Sequence, residues 1–389
     1  MLIRGIILRG LFLNTNRLFL VGSFLGAIIL SSFFQGDETI IYTQSATVSF
    51  EPGAIPPDTM GFRDSLSSDS LFLLRTRENI PLHYFRRIHT GVCFDNKCRE
   101  LDIILYWNIT GRYLGFEMPA GEFLSKSEHK PFSADEYERL NELLADPTLP
   151  LGDISFNSLM DASRSESGLV DGVSGATSAE VEKIVVSGAA YTTYTLWNMV
   201  YGPTQDLVSR LTEELLTPDL TDLILHGPDI SDKLWALSRI DQSIELNPEL
   251  TSSLLNIITG EEFTLAYSAI NAIGSVHLNS DSFQSALFSK YGEVSFSFQR
   301  MIIEKLMAAP FLSPDVLETS RSYLEKVNGQ QLGDFLRLYT KHSVDDLETC
   351  QTIAKILQNE NRYISQKAYE FLQGVDTQDP MILEILNAL

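Results

Sequence analysis

The sequence predicts a fold in two parts, an α+β domain with an antiparallel sheet followed by an all-α domain of stacked, HEAT-like helices. Short alternating apolar segments, typical of strands, dominate the first part, and amphipathic helical spacing replaces them after Pro203. An apolar segment at the start of the chain adds a predicted N-terminal membrane helix. The predicted divisions are a signal or membrane anchor over 1–36, a linker over 37–70, the α+β domain over 71–202 and the helical domain over 203–389.

Composition supports a globular protein and excludes one class of partner. The chain has 389 residues, which is enough for two hydrophobic cores. Hydrophobic residues make up 44% and charged residues 21%, and the net charge is −22. A surface this acidic repels phosphate backbones and anionic lipid headgroups. We therefore expect no nucleic-acid partner.

The N-terminal segment has the charge pattern of an exported protein. Leu18 to Phe34 is uncharged and mostly apolar, and as a helix it would span about 25 Å. Arginines precede it and acids follow it, namely Arg4, Arg9, Arg17, Asp37 and Glu38. This asymmetry predicts that the bulk of the chain lies on the extracytoplasmic (periplasmic) side of the cell membrane. A cleaved signal and a retained anchor both fit the sequence.

The predicted linker and the elements after it follow from local patterns. Prolines, glycines and weak periodicity between 37 and 70 predict a tether. Three apolar runs joined by short turns then predict an antiparallel meander, over Tyr84–Cys93, Cys98–Trp107 and Tyr113–Met118. Ser133 and Glu136 match a capping box, which predicts a helix that ends before Asp146 and Pro147.

The region after Pro203 predicts a succession of short helices. Five are clear from their apolar spacing: Ser231–Ile240, Glu261–Gly274, Phe296–Ala309, Val344–Gln358 and Tyr363–Gly374. In the second of these, the apolar positions Leu265, Ala266, Ile270 and Ile273 recur at helical spacing. No strict sequence repeat is visible, so the pattern fits both stacked helical hairpins and an irregular bundle.

One segment, from Asp171 to Thr177, carries chemistry in its residue types. Its sequence is Asp-Gly-Val-Ser-Gly-Ala-Thr, and the glycines allow close approach to the backbone. Thr177 and Glu180 match a second capping box, so Thr177 is predicted to begin a long helix that runs to about Tyr201. Free N–H groups and the helix dipole would then favour a phosphate on its hydroxyl. An ordinary glycine turn before a capped helix has the same spacing.

The segment resembles the Asp-x-x-Ser/Thr-Gly-Ala-Thr motif of the FMN-binding domain family, which includes flavin-carrying components of the sodium-pumping NADH:quinone oxidoreductase and of the Rnf complex. In that family a flavin transferase joins FMN, taken from FAD, to the last threonine of the motif. The resemblance implies covalent FMN on Thr177, with Asp171, Gly172, Ser174, Gly175 and Ala176 forming the rest of the site. Many members have Ser or Thr two positions after the modified threonine, where this chain has Ala179.

The implied function is electron transfer outside the cytoplasm, with FMN exchanging electrons between redox proteins of a membrane-associated system. The sequence shows no dinucleotide-binding glycine loop and no Cys-x-x-Cys-His haem motif, which favours a redox subunit over a self-sufficient enzyme. The alternative is a scaffold subunit of a membrane complex, which would carry no flavin and bind proteins through its helices.

The three cysteines allow separate interpretations. Cys93 and Cys98 flank a predicted turn, where a disulfide is the ordinary outcome outside the cytoplasm and a redox-active pair is the alternative. A metal site would need further ligands nearby. Cys350 lies in an apolar helical stretch, which predicts a small buried side chain.

Three further features have a structural interpretation beside a functional one. Lys126 to Phe132, with His129, is either a loop at the flavin edge or a solvated loop before a helix. Tyr191, Tyr194 and Trp197 either shield the flavin ring or belong to the core. Asn108 to Thr110 fits the N-glycosylation pattern; the family resemblance implies a bacterial source, and in that case we expect the match to be accidental.

Overall fold

The computed structural model describes seven parts of the chain. They are 39–43, 58–63, 68–91, 100–126, 130–155, 183–375 and 379–388. The first part of the fold is an α+β domain with an antiparallel sheet, and the second part is all helical. No helix in these ranges is both long enough and apolar enough to cross a bilayer.

Within the described residues the sheet has six strands, and each adjacent pair is antiparallel. Five consecutive strands form a meander, and the first strand adds to its far edge in the order β1-β6-β5-β4-β3-β2. The strands are β1 Ile40–Thr43, β2 Asp58–Arg63, β3 Ser68–Arg75, β4 Pro81–Thr90, β5 Leu101–Asn108 and β6 Tyr113–Met118. The three strands expected from alternation correspond to β4, β5 and β6, so the predicted meander is confirmed.

The segment predicted to be a linker contributes strands to this sheet. Within 37–70, β1 pairs with β6 and β2 pairs with β3. β1 is only four residues long, and β2 contains Gly61 between two apolar residues, with polar residues at both ends. Neither strand therefore has the long alternation that marks a strand. The prediction of an unstructured tether was therefore wrong for these two intervals.

Two helices, α1 and α2, cover one face of the sheet. α1 Ala134–Ala145 has Ser133 as its N-cap, and the predicted capping box with Glu136 is present. α2 spans Ala190–Tyr201 and packs against α1. The Nε1 of Trp107, on the covered face of β5, donates to the carbonyl of Val200 at 3.0 Å. The buried core of the domain lies between this face and the helices.

The helical region has twelve α-helices within the described residues after 202. They are α3 Pro203–Leu215, α4 Pro218–Leu225, α5 Ile230–Ser243, α6 Pro248–Ile258, α7 Phe263–Asn271, α8 Asp281–Ser289, α9 Phe296–Met307, α10 Pro314–Arg321, α11 Gly329–Lys341, α12 Leu347–Ile356, α13 Arg362–Gln373 and α14 Pro380–Ala388. All five helices expected from apolar spacing are present, and Leu265, Ala266, Ile270 and Ile273 are buried. Cys350 is also buried, as predicted, and it is a free thiol.

The helices form two rows with a fixed spacing along the chain. One row contains α5, α7, α9, α11 and α13, which begin at residues 230, 263, 296, 329 and 362, so each begins 33 residues after the previous one. The other row contains α6, α8, α10, α12 and α14, which begin at 248, 281, 314, 347 and 380 with the same spacing. Neighbours in the first row pack against one another throughout.

Burial recurs with the same 33-residue period, although the residues at equivalent positions differ. The sites 33 residues apart on the α5 row are fully buried in every helix, and they hold different apolar residues: Ala236, Ala269, Ile302, Phe335 and Ala368. A second set behaves alike: Ile240, Ile273, Leu306, Tyr339 and Leu372. The repeat therefore preserves a pattern of burial while its side-chain volumes vary.

Candidate functional site

The predicted cofactor residues lie outside the described part of the chain. This holds for Asp171, Gly172, Ser174, Gly175, Ala176 and Thr177, and also for Cys93, Cys98 and His129. The structure does describe both flanks of the motif, up to Ser155 and from Lys183 onward. The flanks show what holds the two ends of the motif segment in the α+β domain.

The preceding flank is packed beneath α2. A short 3-10 turn, Pro150–Gly152, buries Leu151. A Cβ on Gly152 would lie 3.3 Å from the ring of Trp197, so glycine permits this close packing. The Nε1 of Trp197 donates to the carbonyl of Asp146 at 3.0 Å. The side chain of Trp197 is therefore part of the core contact between α2 and this flank, in agreement with its structural interpretation.

The following flank corrects one sequence prediction. A single helix from Thr177 to Tyr201 is not formed, because the chain turns between Val185 and Ala189 and α2 begins at Ala190. Gly188 has a φ of 72°, which is outside the helical region and favours glycine. Thr193 stabilises the turn, since its hydroxyl accepts from the N–H of Val186 at 3.1 Å. Any helix that Thr177 caps must therefore end before this turn.

Contacts with α1 fix the same flank from the other side. The guanidinium of Arg139 donates to the carbonyl of Lys183, and Val185 and Val186 are both buried. Both ends of the motif segment are thus anchored in the layer formed by α1 and α2. Tyr191 and Tyr194, on the same helix as Trp197, are half-buried.

The loop before α1 folds back on that helix. Lys126 forms an ion pair with Glu136, and Phe132 is buried beside Tyr137 with ring centroids 5.3 Å apart. The N–H of Lys126 donates to the carbonyl of Lys130 at 2.9 Å. These contacts give the described residues of this loop a structural role.

The sheet face opposite α1 and α2 carries a group of aromatic side chains. Phe72, Phe85 and Tyr106 lie side by side on β3, β4 and β5, with centroid distances of 5.0 Å and 6.0 Å between neighbours. The ring centroids of His83 and Tyr106 are 5.7 Å apart. Burial lowers the pKa of His83 from 6.5 to about 4. Burial and the Glu117 carboxylate, which accepts from the Tyr106 hydroxyl, raise the pKa of Tyr106. This group is therefore uncharged at neutral pH.

A buried polar network joins the sheet to the first repeat of the helical region, and sequence analysis did not identify it. The Nδ2 of Asn108 donates to Asp232 at 2.7 Å, and the Thr110 hydroxyl donates to the same carboxylate at 2.5 Å. Arg112 donates to Asp232 at 3.0 Å and lies 3.3 Å from Asp229. Asn108 is 3% exposed, so its side chain is committed to this network in the folded protein.

Elsewhere the described residues offer little that resembles a catalytic centre. No group of three or more His, Cys, Asp or Glu side chains among them could hold a metal ion. A shallow cleft lined by Pro203, Asp206, Ser209 and Arg210 lies on the surface of α3. Ser209 there accepts from the Nε1 of Trp235 at 3.0 Å, a contact that packs α3 on α5.

Comparison with known proteins gave no relatives. No protein-family model matches the chain, and neither a curated protein nor a solved structure matches it.

Proposed function

We propose that this protein is an extracytoplasmic electron-transfer subunit that carries FMN covalently on Thr177, joined through a phosphoester. The observation that carries the proposal is the motif Asp171 to Thr177, which matches every fixed position of the flavin-attachment motif. Both described flanks of the motif, up to Ser155 and from Lys183 onward, belong to the α+β domain. When bound, FMN exchanges one or two electrons with its partners.

Four residues of the motif have a distinct part in this proposal. The hydroxyl of Thr177 supplies the oxygen that bonds to the FMN phosphorus of FAD, while the pyrophosphate bond breaks, AMP leaves and the hydroxyl proton is lost. Asp171 orients the threonine during attachment, alone or through a metal ion. Gly172 and Gly175 let the phosphate approach the backbone, and N–H groups near Thr177 stabilise its charge. Ser174 and Ala176 complete the motif.

The anchored flanks support a role in positioning. The ends of the segment are held by Trp197 on one side and by Thr193 and Arg139 on the other. These contacts tie the flanks of the motif segment to the α1–α2 layer, and electron transfer requires a restricted distance between the flavin and its partner. The predicted membrane segment, if retained as an anchor, would keep the domain near the redox proteins of a membrane complex.

The helical region is assigned a docking role. Helices in two rows with a constant period form an extended surface, as in solenoid proteins. The arrangement is HEAT-like, although its 33-residue spacing is shorter than the roughly 40 residues of HEAT repeats. The polar network between Asp232 and the sheet would hold the flavin domain in one orientation to this surface.

A scaffold without flavin is the second candidate, and the regular helical rows favour it. Denaturing electrophoresis of protein purified from its native membrane distinguishes the two candidates, because a covalently attached flavin makes the protein band fluorescent. The Thr177→Ala variant should lose this fluorescence, and Ser178→Ala, which removes the adjacent hydroxyl, should retain it. A wild-type band without fluorescence would favour the scaffold. Native material is required because attachment depends on the transferase.

A further inference from the structure

The starts of three helices in the α5 row carry exposed apolar residues. Ile230, Phe263 and Phe296 are the first residues of α5, α7 and α9, and they are 47%, 61% and 40% exposed. Because the three helices begin at equivalent repeat positions and pack side by side, these residues lie along one edge of the row. Scattered apolar residues need no explanation, whereas a row of them does.

Aromatic contacts make the centre of this row continuous. Tyr267, one turn after Phe263, is 48% exposed and stacks on it with centroids 6.3 Å apart. Phe298 on the next helix is buried, and its ring lies 5.1 Å from that of Phe263. We name Ile230, Phe263, Tyr267 and Phe296 the aromatic edge.

The repeat itself does not require apolar residues at these positions. The last two helices of the same row begin with Gly329 and Arg362. Tyr267 corresponds to Arg300 in the next repeat and to Gly333 in the one after. Since α9, α11 and α13 fold with these other residues, packing within the row does not account for the aromatic edge.

The acidic residues beside Phe263 indicate which kind of partner the aromatic edge would bind. Glu261 and Glu262 directly precede it and are exposed, and neither forms an ion pair with another described residue. By contrast, Glu293 pairs with Lys290 at 3.3 Å and Glu304 pairs with Arg300 at 3.1 Å. The exposed apolar surface is therefore bordered by carboxylates whose charge is not neutralised nearby, which favours a basic partner.

The length of the edge defines the size of the occupant. Adjacent packed helices have axes about 8–10 Å apart, so the edge from Ile230 to Phe296 is about 20 Å long. A helix of about 13 residues covers that distance. An apolar helix face meets such a row through side chains spaced three and four residues apart.

We propose that the aromatic edge binds an amphipathic helix of a partner protein, with Lys or Arg bordering its apolar face. The apolar side chains of that helix cover Phe263 and Tyr267, and its basic residues pair with Glu261 and Glu262. This inference concerns the helical region and does not depend on the flavin at Thr177. It names the chemistry of a partner, which the proposed function leaves open.

The experiment measures binding of a labelled model helix to the full-length protein by fluorescence anisotropy. The probe is a peptide of about 18 residues with leucines on one face and lysines at its borders, and the comparison peptide replaces each Lys by Glu. We expect the Lys peptide to bind wild type, and Phe263→Ser with Tyr267→Ser to weaken binding at least tenfold. Glu261→Lys with Glu262→Lys should weaken the Lys peptide and strengthen the Glu peptide.

The matched control is Leu347→Ser, which changes a residue of similar exposure (53%) at the start of α12 in the other row. Its affinity should equal that of wild type, and circular dichroism should show that all variants fold. The proposal would be overturned if the Phe263/Tyr267 variant bound the Lys peptide as tightly as wild type does. It would also be overturned if the Leu347 variant lost as much affinity as the Phe263/Tyr267 variant, or if wild type did not bind the peptide. So would sedimentation showing a wild-type dimer that the Phe263/Tyr267 variant abolishes. The Thr177→Ala protein should bind the Lys peptide as wild type does, so this test is independent of whether FMN is attached to Thr177.

Discussion

Asn108, at the end of β5, donates to the carboxylate of Asp232 on α5 at 2.7 Å, although the two residues are 124 positions apart in the sequence. Asp232 is 2% exposed. The equivalent positions of the next two repeats hold Leu265 and Phe298, which are buried apolar residues. The first repeat therefore replaces an apolar core residue by a carboxylate that attaches the helical region to the sheet.

Removing this carboxylate should destabilise the protein strongly. In Asp232→Ala, Asn108 and Thr110 lose their buried acceptor and Arg112 loses its closest carboxylate, so we expect a loss of about 3 kcal/mol in the free energy of unfolding. Urea denaturation measures this loss. Asp229→Ala, which removes an N-cap and a longer contact to Arg112, should cost only about 1 kcal/mol. Equal costs for the two variants would contradict the central role of Asp232.

His83 should make stability depend on pH. Its pKa is lowered from 6.5 to about 4 by burial, so the folded state favours the neutral ring. The corresponding stability is fully present above pH 6.5 and is lost as the pH falls toward 4. In His83→Phe, the decrease in unfolding free energy between pH 7 and pH 4.5 should be smaller by about 2 to 3 kcal/mol. His89→Gln changes an exposed site on the same strand, and its unfolding free energy should decrease over this pH range as that of wild type does. An unchanged pH profile in His83→Phe would exclude the buried neutral histidine.

The turn before α2 should depend on the Thr193 hydroxyl. Thr193→Val preserves the shape of the side chain but leaves the N–H of Val186 without its acceptor, which should cost about 1 to 3 kcal/mol. Thermal unfolding measures this effect. Thr195→Val is the control, because Thr195 is equally buried on the same helix but has no such bond to the turn. Similar midpoints for Thr193→Val and wild type would show that the hydroxyl does not stabilise the turn.

Local signals in the sequence were sufficient for much of the fold. Alternation over Tyr113–Met118 and the Ser133–Glu136 capping box predicted elements that the structure contains. The interruption at Gly188 was missed because Val185 and Ala189 continue a helical apolar pattern on both sides of the turn. β1 was missed because a four-residue strand acquires its stability from its partner strand.

The 33-residue period of the helices was also not predicted, although a signal for it exists. Polar residues that precede the helices of the α6 row recur every 33 positions, at Asn247, Ser280, Ser313, Asp346 and Asp379. Four of these side chains accept a hydrogen bond from a backbone N–H of the following helix, and Ser313 has the same position without that bond. The five residues share polar character rather than identity, so a search for sequence identity does not find them. The Asn108–Asp232 contact has no local signal, because only the tertiary fold brings the two residues together.

The central claim, that FMN is attached to Thr177, is tested most directly by mass spectrometry of the protein purified from its native membrane. Trypsin cleavage after Arg164 and Lys183 releases one peptide with the whole motif and several hydroxyl residues, so fragment ions must assign the modified side chain. We predict an added mass of one FMN less water on Thr177. A peptide recovered entirely without modification would contradict the flavoprotein account and favour a scaffold built on the helical rows.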